Sequence, residues 1–182
     1  MSDQVRLDNI DRVFAILDLD GDGGIRWDDF GSIAEGVGGE FGLGPESPEV
    51  RNLLAGYREV WVYVSGAADL DADGVVGKDE FRQAHAAQRL STGEVLHKWL
   101  TVSERAFELA DRDGDGFLDE SALAGIYRGA GVTDPQVASI AFGAMDVDGD
   151  GRLDKAEFCA NVQGLFTSTD EAGKGAHMLS GN

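Results

Sequence analysis

The chain has 182 residues, 42% apolar and 27% charged, an ordinary globular balance with room for one domain or two small ones around a sizeable core. Lys and Arg total 15 against 34 Asp and Glu, a formal charge of −19, so the field has the wrong sign for nucleic acid or an anionic membrane surface. No apolar run approaches the roughly 18 residues that cross a bilayer, no basic-then-apolar leader follows Met1, and the lone Cys159 excludes an intrachain disulfide; a cytoplasmic, reducing location is expected.

In chain order, Ile10, Val13, Phe14 and Leu17 share one face of a first helix. It runs into the acidic cluster Asp18-Leu19-Asp20-Gly21-Asp22-Gly23, and Phe30 opens the apolar face of the helix beyond. Gly36, Gly38, Gly39, Gly42 and Gly44 weaken that second helix, which is expected to end or bend among them. Ser47 is placed to cap a third helix with Pro48 in its first turn. Trp61, Val64, Ser65 and Ala68 repeat the earlier offsets and lead into Asp69-Leu70-Asp71-Ala72-Asp73-Gly74, with Phe81 standing where Phe30 stood. Ser91 and Glu94 read as a capping box for the next helix, which carries Trp99, Leu100, Ala106, Phe107 and Ala110 to Asp111-Arg112-Asp113-Gly114-Asp115-Gly116. Leu123 follows, Gly131 fits a helix C-terminus, and Thr133 with Gln136 reads as a second capping box around Pro135. Ala138, Ala141, Phe142 and Met145 approach the last cluster, Asp146-Val147-Asp148-Gly149-Asp150-Gly151, with Phe158 beyond it. The tail from about Ser168 to Asn182 is polar, with Leu179 as a candidate anchor.

The four clusters form an internal repeat of irregular period, and each opens the twelve-residue Asp-x-Asp-x-Asp-Gly pattern of the EF-hand calcium loop. The chemistry needs that spacing. Ca²⁺ takes six to eight oxygens, and carboxylates at positions 1, 3 and 5 of a tight turn converge on one point. The candidate ligands are Asp18, Asp20, Asp22, Gly24, Arg26 and Asp29 in loop one (18–29), and Asp69, Asp71, Asp73, Val75 and Glu80 in loop two (69–80). Loop three (111–122) offers Asp111, Asp113, Asp115 and Phe117, and loop four (146–157) offers Asp146, Asp148, Asp150, Arg152 and Glu157. Gly24, Val75, Phe117 and Arg152 are at position 7, which contributes a backbone carbonyl; Arg26 is at position 9, which acts through water. Ile25, Val76, Leu118 and Leu153 fill position 8, where paired loops form a short strand.

Position 12 separates the loops. Glu80 and Glu157 can close loops two and four with both oxygens, so these are expected to bind Ca²⁺ most strongly. Asp29 is one methylene shorter, which favours a six-coordinate site in loop one that also takes Mg²⁺. Ala122 offers no oxygen, and although Asp119 at position 9 keeps loop three at four carboxylates, this loop is expected to be weakest; two to four sites follow.

Each loop should join an entering and a leaving helix, giving an all-α chain with an N-terminal pair of units (1–90), a C-terminal pair (91–167) and a tail (168–182). The chain resembles the sarcoplasmic calcium-binding proteins and their bacterial relative calerythrin over nearly its whole length. The resemblance lies in its length, the long stretch between loops one and two, Asp29-Phe30 closing loop one, and the ending Leu165-Phe166-Thr167-Ser168-Thr169-Asp170. It implies that both pairs pack into one compact domain rather than a dumbbell. The family commonly loses one loop, most often the second; here the second is intact and the third impaired.

The leading expectation is a calcium buffer or signal modulator without catalysis, because half of the 34 acids stand at ligand positions of the loops. No Ser-His-Asp signature, phosphate-cradling Gly loop or metal-spaced His pair is present, and Cys159 reads as a buried structural thiol. One alternative is a sensor that exposes a groove for a target helix; only three Met weigh against it. Another is a carrier of apolar small molecules, of the coelenterazine-binding type, with Trp27, Trp61, Trp99, His85, His97 and His177 as candidate cavity lining. The expected partners are calcium ions, with a protein target under the sensor reading, no nucleic acid and no membrane insertion, and the chain is expected to be a monomer.

Overall fold

The computed structural model describes residues 3–167; the tail, with Leu179 and His177, lies outside the described residues. In order come α1 (Asp3–Leu17), β1 (Gly24–Ile25), α2 (Trp27–Glu40), α3 (Pro48–Ala68), β2 (Val76–Gly77), α4 (Lys78–Ala86), α5 (Thr92–Ala110), β3 (Phe117–Leu118), α6 (Glu120–Gly129), α7 (Pro135–Met145), β4 (Leu153–Asp154) and α8 (Lys155–Thr167). No described helix is long and apolar enough to cross a membrane.

The apolar faces read from the 3.6-residue period form as expected. Ile10, Val13, Phe14 and Leu17 are buried on α1, Val64 and Ala68 on α3, Ala106, Phe107 and Ala110 on α5, and Ala138, Ala141, Phe142 and Met145 on α7. Phe30, Phe81, Leu123 and Phe158 are buried at the start of the four leaving helices. Trp61, Ser65 and Leu100 are half-buried.

Helix boundaries follow the strongest local acceptor. Ser47 accepts the Val50 N–H at 3.4 Å with Pro48 in the first turn, as expected. Ser91 precedes α5 without a side-chain capping bond; its own N–H is drawn to the Tyr63 hydroxyl at 3.0 Å. The cap of α7 is Asp134 rather than Thr133, its carboxylate taking the Gln136 N–H at 2.9 Å. A carboxylate is the stronger acceptor, and Asp134 lies directly before Pro135. Gly131 closes α6 in the left-handed region, with its N–H on the Arg128 carbonyl and the Val132 N–H on that of Tyr127, each at 2.9 Å.

The second helix ends among its glycines, as expected. It runs through Gly36, Gly38 and Gly39 to Glu40 and closes at Gly42, where the Leu43 N–H reaches back to the Gly38 carbonyl at 2.8 Å. Tertiary contact explains the tolerance. A Cβ on Gly36 would overlap the Gly129 carbonyl oxygen of α6, and a Cβ on Gly129 would overlap the Val37 backbone. The two glycines let α2 and α6 cross backbone to backbone.

The loops meet in pairs. β1 and β2 run antiparallel with Ile25 opposite Val76, and β3 and β4 with Leu118 opposite Leu153. All four side chains are at most 1% exposed. The pairs then meet each other, α3 against α5 and α2 against α6, over one continuous core. At its centre the Tyr57 ring lies 5.7 Å from that of Phe30 and 5.8 Å from that of Trp99, and Trp99 lies 6.1 Å from Phe166. Each such side chain contributes about 1.5–3 kcal/mol on burial. The half-exposed ion pairs across the same seam, Arg128–Glu40 at 2.8 Å, Arg105–Glu59 at 3.3 Å and Arg112–Glu49 at 3.4 Å, contribute about 0–1 kcal/mol each, so packing dominates.

Gly36→Ala should therefore lower the unfolding free energy by about 2–3 kcal/mol, because the new methyl meets backbone that cannot rotate away. Gly39→Ala, on the same helix with open space around it, should raise it by about 0.5–1 kcal/mol. Urea unfolding of the two variants checks the pair; equal effects would refute the close crossing.

Candidate metal centres

The aspartate at position 1 of each loop ends one helix and starts the turn. The N–H groups of Asp18, Asp69, Asp111 and Asp146 still bond the carbonyls of Phe14, Ser65, Phe107 and Phe142 at 2.9–3.0 Å. Their carboxylates each accept the N–H of position 6, from Gly23, Gly74, Gly116 and Gly151, at 3.0, 3.2, 3.0 and 3.0 Å. Position 5 does the same for position 7: Asp22, Asp73, Asp115 and Asp150 accept from Gly24, Val75, Phe117 and Arg152 at 2.9, 2.8, 2.9 and 2.8 Å. Positions 4 and 6 are left-handed throughout. Glycine supplies this conformation everywhere except at Ala72, whose φ is +59°.

With some oxygens tied to the backbone, the others converge. Asp18, Asp20 and Asp22 present one oxygen each within 4.8 Å of one another, as do Asp69, Asp71 and Asp73, then Asp111, Asp113 and Asp115, and in loop four Asp146, Asp148 and Glu157. Oδ1 of Asp18 and Oδ1 of Asp69 are buried without a hydrogen-bond partner. A buried carboxylate oxygen with no donor is costly. A cation removes that cost, so these donor sets fit a hard divalent ion.

The closing residues of loops one, two and four each bond backbone at both ends of their loop, and loop three has no such residue. Glu80 takes the Leu70 N–H at 3.1 Å and the Gly77 N–H at 2.9 Å, clasping both ends of loop two. Glu157 does the same with Val147 at 3.0 Å and Asp154 at 3.2 Å, and Asp154 returns a bond to the Glu157 N–H at 2.8 Å. Asp29 also bonds both ends of its loop, one residue further in at the start: one oxygen takes the Asp20 N–H at 3.3 Å and the other the Arg26 N–H at 2.6 Å. Burial pushes the Asp29 carboxyl above its ordinary value, the two backbone donors work against the shift, and the neighbouring Asp20 and Asp18 add to it. In loop three, Asp119 takes the Ala122 N–H at 2.7 Å and caps α6. Ala122 has nothing to return, so the far side of that loop stays open.

Two arginines play a part that spacing did not reveal. Arg26, placed in sequence among the ligands of loop one, turns its guanidinium onto the Asp22 carboxylate. A guanidinium carries no lone pair for a cation, so the Arg26 side chain is a counter-charge and not a ligand. The Arg152 side chain lies 3.9 Å from both Asp115 and Asp150 and 4.4 Å from the Phe117 ring, bridging loops three and four. The only sequence signal was a basic residue inside a run of acids.

Of the described aromatic and histidine residues named as cavity lining, Trp99 borders a partly open cavity of about 100 Å³ between α3, α5, α6 and α8. Trp27 lies under Arg58 at 5.2 Å, His85 packs edge-on against Phe81 at 4.9 Å, and His97 is exposed. Cys159 is half-buried rather than buried; desolvation and nearby Glu104 push its thiol up while Lys155 opposes them.

Ala72 is the one residue of the four acidic loops that holds a positive φ without being glycine. Ala72→Gly should raise the midpoint of urea unfolding by an amount equivalent to about 0.5–1 kcal/mol, because the left-handed penalty exceeds the extra unfolded-state entropy of glycine. An unchanged or lower midpoint would contradict it.

The model of the EF-hand domain pair matches residues 101–163, and that of the EF hand matches 10–34 and 66–85. No curated protein matches the chain. Among solved structures, a Streptomyces coelicolor calcium-binding protein described in terms of prokaryotic calcium-mediated regulation is 28% identical with a TM-score of 0.73, over 88% of this chain and 96% of that one. The sarcoplasmic calcium-binding protein of amphioxus is 20% identical with a TM-score of 0.62, over 96% of each chain. The coelenterazine-binding protein of Renilla muelleri is 16% identical with a TM-score of 0.60, over 97% of each. The two family models take in all four acidic loops: the chain belongs to the EF-hand calcium-binding proteins and is built like the sarcoplasmic calcium-binding proteins.

Proposed function

We propose that the chain is an intracellular Ca²⁺ buffer or signal modulator, with loops two and four as its strong sites, loop one as a mixed Ca²⁺/Mg²⁺ site and loop three as its weakest. One observation carries the reading: the apolar faces of the two EF-hand pairs are packed on each other through α2–α6 and α3–α5. A sensor keeps such a face ready for a target helix. Here it is spent inside the fold, so loading consolidates the molecule.

The ligands are Asp18, Asp20, Asp22, Asp29 and the Gly24 carbonyl in loop one, and Asp69, Asp71, Asp73, Glu80 and the Val75 carbonyl in loop two. Loop three contributes Asp111, Asp113, Asp115 and the Phe117 carbonyl. Loop four contributes Asp146, Asp148, Asp150, Glu157 and the Arg152 carbonyl. A bound Ca²⁺ supplies two positive charges where these carboxylates crowd. The ranking rests on side-chain reach at position 12: Glu80 and Glu157 are long enough to offer both oxygens to one ion, Asp29 is one methylene shorter, and Ala122 leaves a gap. Arg26 on Asp22 lowers the charge density of loop one further, which favours weaker ligation there. The cavity of about 100 Å³ is small beside the roughly 300–1,000 Å³ of a drug-sized pocket, which weighs against the carrier reading.

Calorimetric Ca²⁺ titration with and without millimolar Mg²⁺ tests the assignment. Glu80→Gln and Glu157→Gln should each remove about one equivalent of tight binding, and Ala122→Glu should add about one. Mg²⁺ should displace Ca²⁺ from one site first, and Asp29→Glu should abolish that preference. Full, unchanged binding in both Gln variants would sink the ranking, as would Mg²⁺ competition that is equal at every site.

A further inference from the structure

We propose that an exposed groove beside the second EF-hand unit docks a short carboxylate-rich, aliphatic peptide segment of a partner protein. The groove is open, about 720 Å³, and lies along the outer face of α3 against Arg89 and Lys98. Its floor is Val62, Gly66 and Ala67, and Val62 is 57% exposed. One wall is Tyr63, whose hydroxyl is fixed by the Ser91 N–H at 3.0 Å and whose ring lies 5.7 Å from the Lys98 ammonium.

Charge sets this face apart. In a chain of net charge −19, most described lysines and arginines sit against a carboxylate, as Arg51, Lys78, Arg82, Arg112, Arg128 and Lys155 do. Arg58, Arg89 and Lys98 have no carboxylate partner among the described residues, and all three line this one groove. Its single acid, Glu59, is taken by Arg105 at 3.3 Å. Three unneutralised cations around an aliphatic floor are complementary to carboxylates flanking an aliphatic side chain. Residues 58, 62 and 66 span about 12 Å of helix, the reach of roughly four residues of extended chain. A short peptide touches only the groove. An anionic membrane would also face the remaining negative surface and be repelled, so the occupant is a peptide.

The groove joins α3, which enters loop two, to Arg89 in the segment after α4 and to Lys98 on α5. α3 leads directly into Asp69, and Arg89 follows α4, which leaves the same loop. Any change of angle between α3 and α4 moves Arg89 relative to Val62, and each bound Ca²⁺ relieves repulsion of an acidic peptide. Docking is thus linked to loading of loop two, a step that rests on the ligand assignment proposed above.

The test is fluorescence anisotropy of a fluorescein-labelled peptide of alternating Glu and Val, titrated with the full chain at 1 mM Ca²⁺ (about 10³ times a micromolar Kd) and again in chelator. The Glu/Val peptide should bind, and its Gln/Val counterpart should bind at least about tenfold more weakly. Arg89→Gln with Lys98→Gln should weaken Glu/Val binding about tenfold while leaving the thermal midpoint and the Ca²⁺ titration unchanged. Equal binding by the wild type and the double variant, or by the two peptides, would overturn the groove, as would no binding at all. Co-sedimentation with phosphatidylserine vesicles would overturn the peptide assignment. Equal affinity in Ca²⁺ and chelator would overturn the link to loop two alone, and failure of that loop to bind metal is read separately, from the Glu80→Gln titration.

Discussion

The carboxylate at position 1 of each loop is the joint on which the rest of the structure depends. Asp18, Asp69, Asp111 and Asp146 each stand at the C-terminal end of a helix, where unsatisfied carbonyls already concentrate negative charge. An acid there is unfavourable by itself. The same residue folds the turn by accepting the position-6 N–H, and the turn brings two or three further carboxylates beside it. A divalent cation answers both problems, since it neutralises the carboxylates and faces the negative end of the entering helix. Shaping the turn and offering oxygens to a metal are therefore one property of these carboxylates.

The short strands carry that property into the core. Ile25, Val76, Leu118 and Leu153 sit two residues beyond the loop glycines and are buried against their partners. A movement in one loop is felt across the pair before it reaches solvent. Beyond the pairs, α2 and α6 approach at Gly36 and Gly129, and α3 and α5 at Gly56, where a Cβ would lie 3.1 Å from Val102. Close crossing turns four helix-loop-helix units into one interior. Arg105 reinforces the second crossing by donating to the Asn52 carbonyl at 3.0 Å.

Sequence pattern revealed most of this fold, for identifiable reasons. The loops repeat a residue order that one cation dictates, and the helices repeat an apolar period that one core dictates. What pattern missed was decided by competition or by contact. Asp134 outcompetes Thr133 as a cap because both are in reach and one is charged. Gly36 is helical where α6 passes over it at Gly129, a residue far away in sequence. Arg26 looked like a ligand by position and is a counter-charge by chemistry. Arg58, Arg89 and Lys98 fall on three different segments, so only the folded chain shows them as one basic face.

Loop three keeps the turn of a metal loop although Ala122 offers no closing carboxylate. Its backbone is that of loop four: Asp111 and Asp146 accept the same three N–H groups, from positions 4, 5 and 6, at 2.8–3.2 Å. What it lacks is the reciprocal clasp that Glu157 and Asp154 make. Yet Leu118 of loop three is the strand partner of Leu153, and Arg152 spans the position-5 carboxylates of both loops. A collapsed loop three would unpair Leu153 and leave Arg152 with one carboxylate where it now has two. The aspartates of loop three thus shape a turn that braces loop four, and the missing closing carboxylate at Ala122 leaves the strand pair intact.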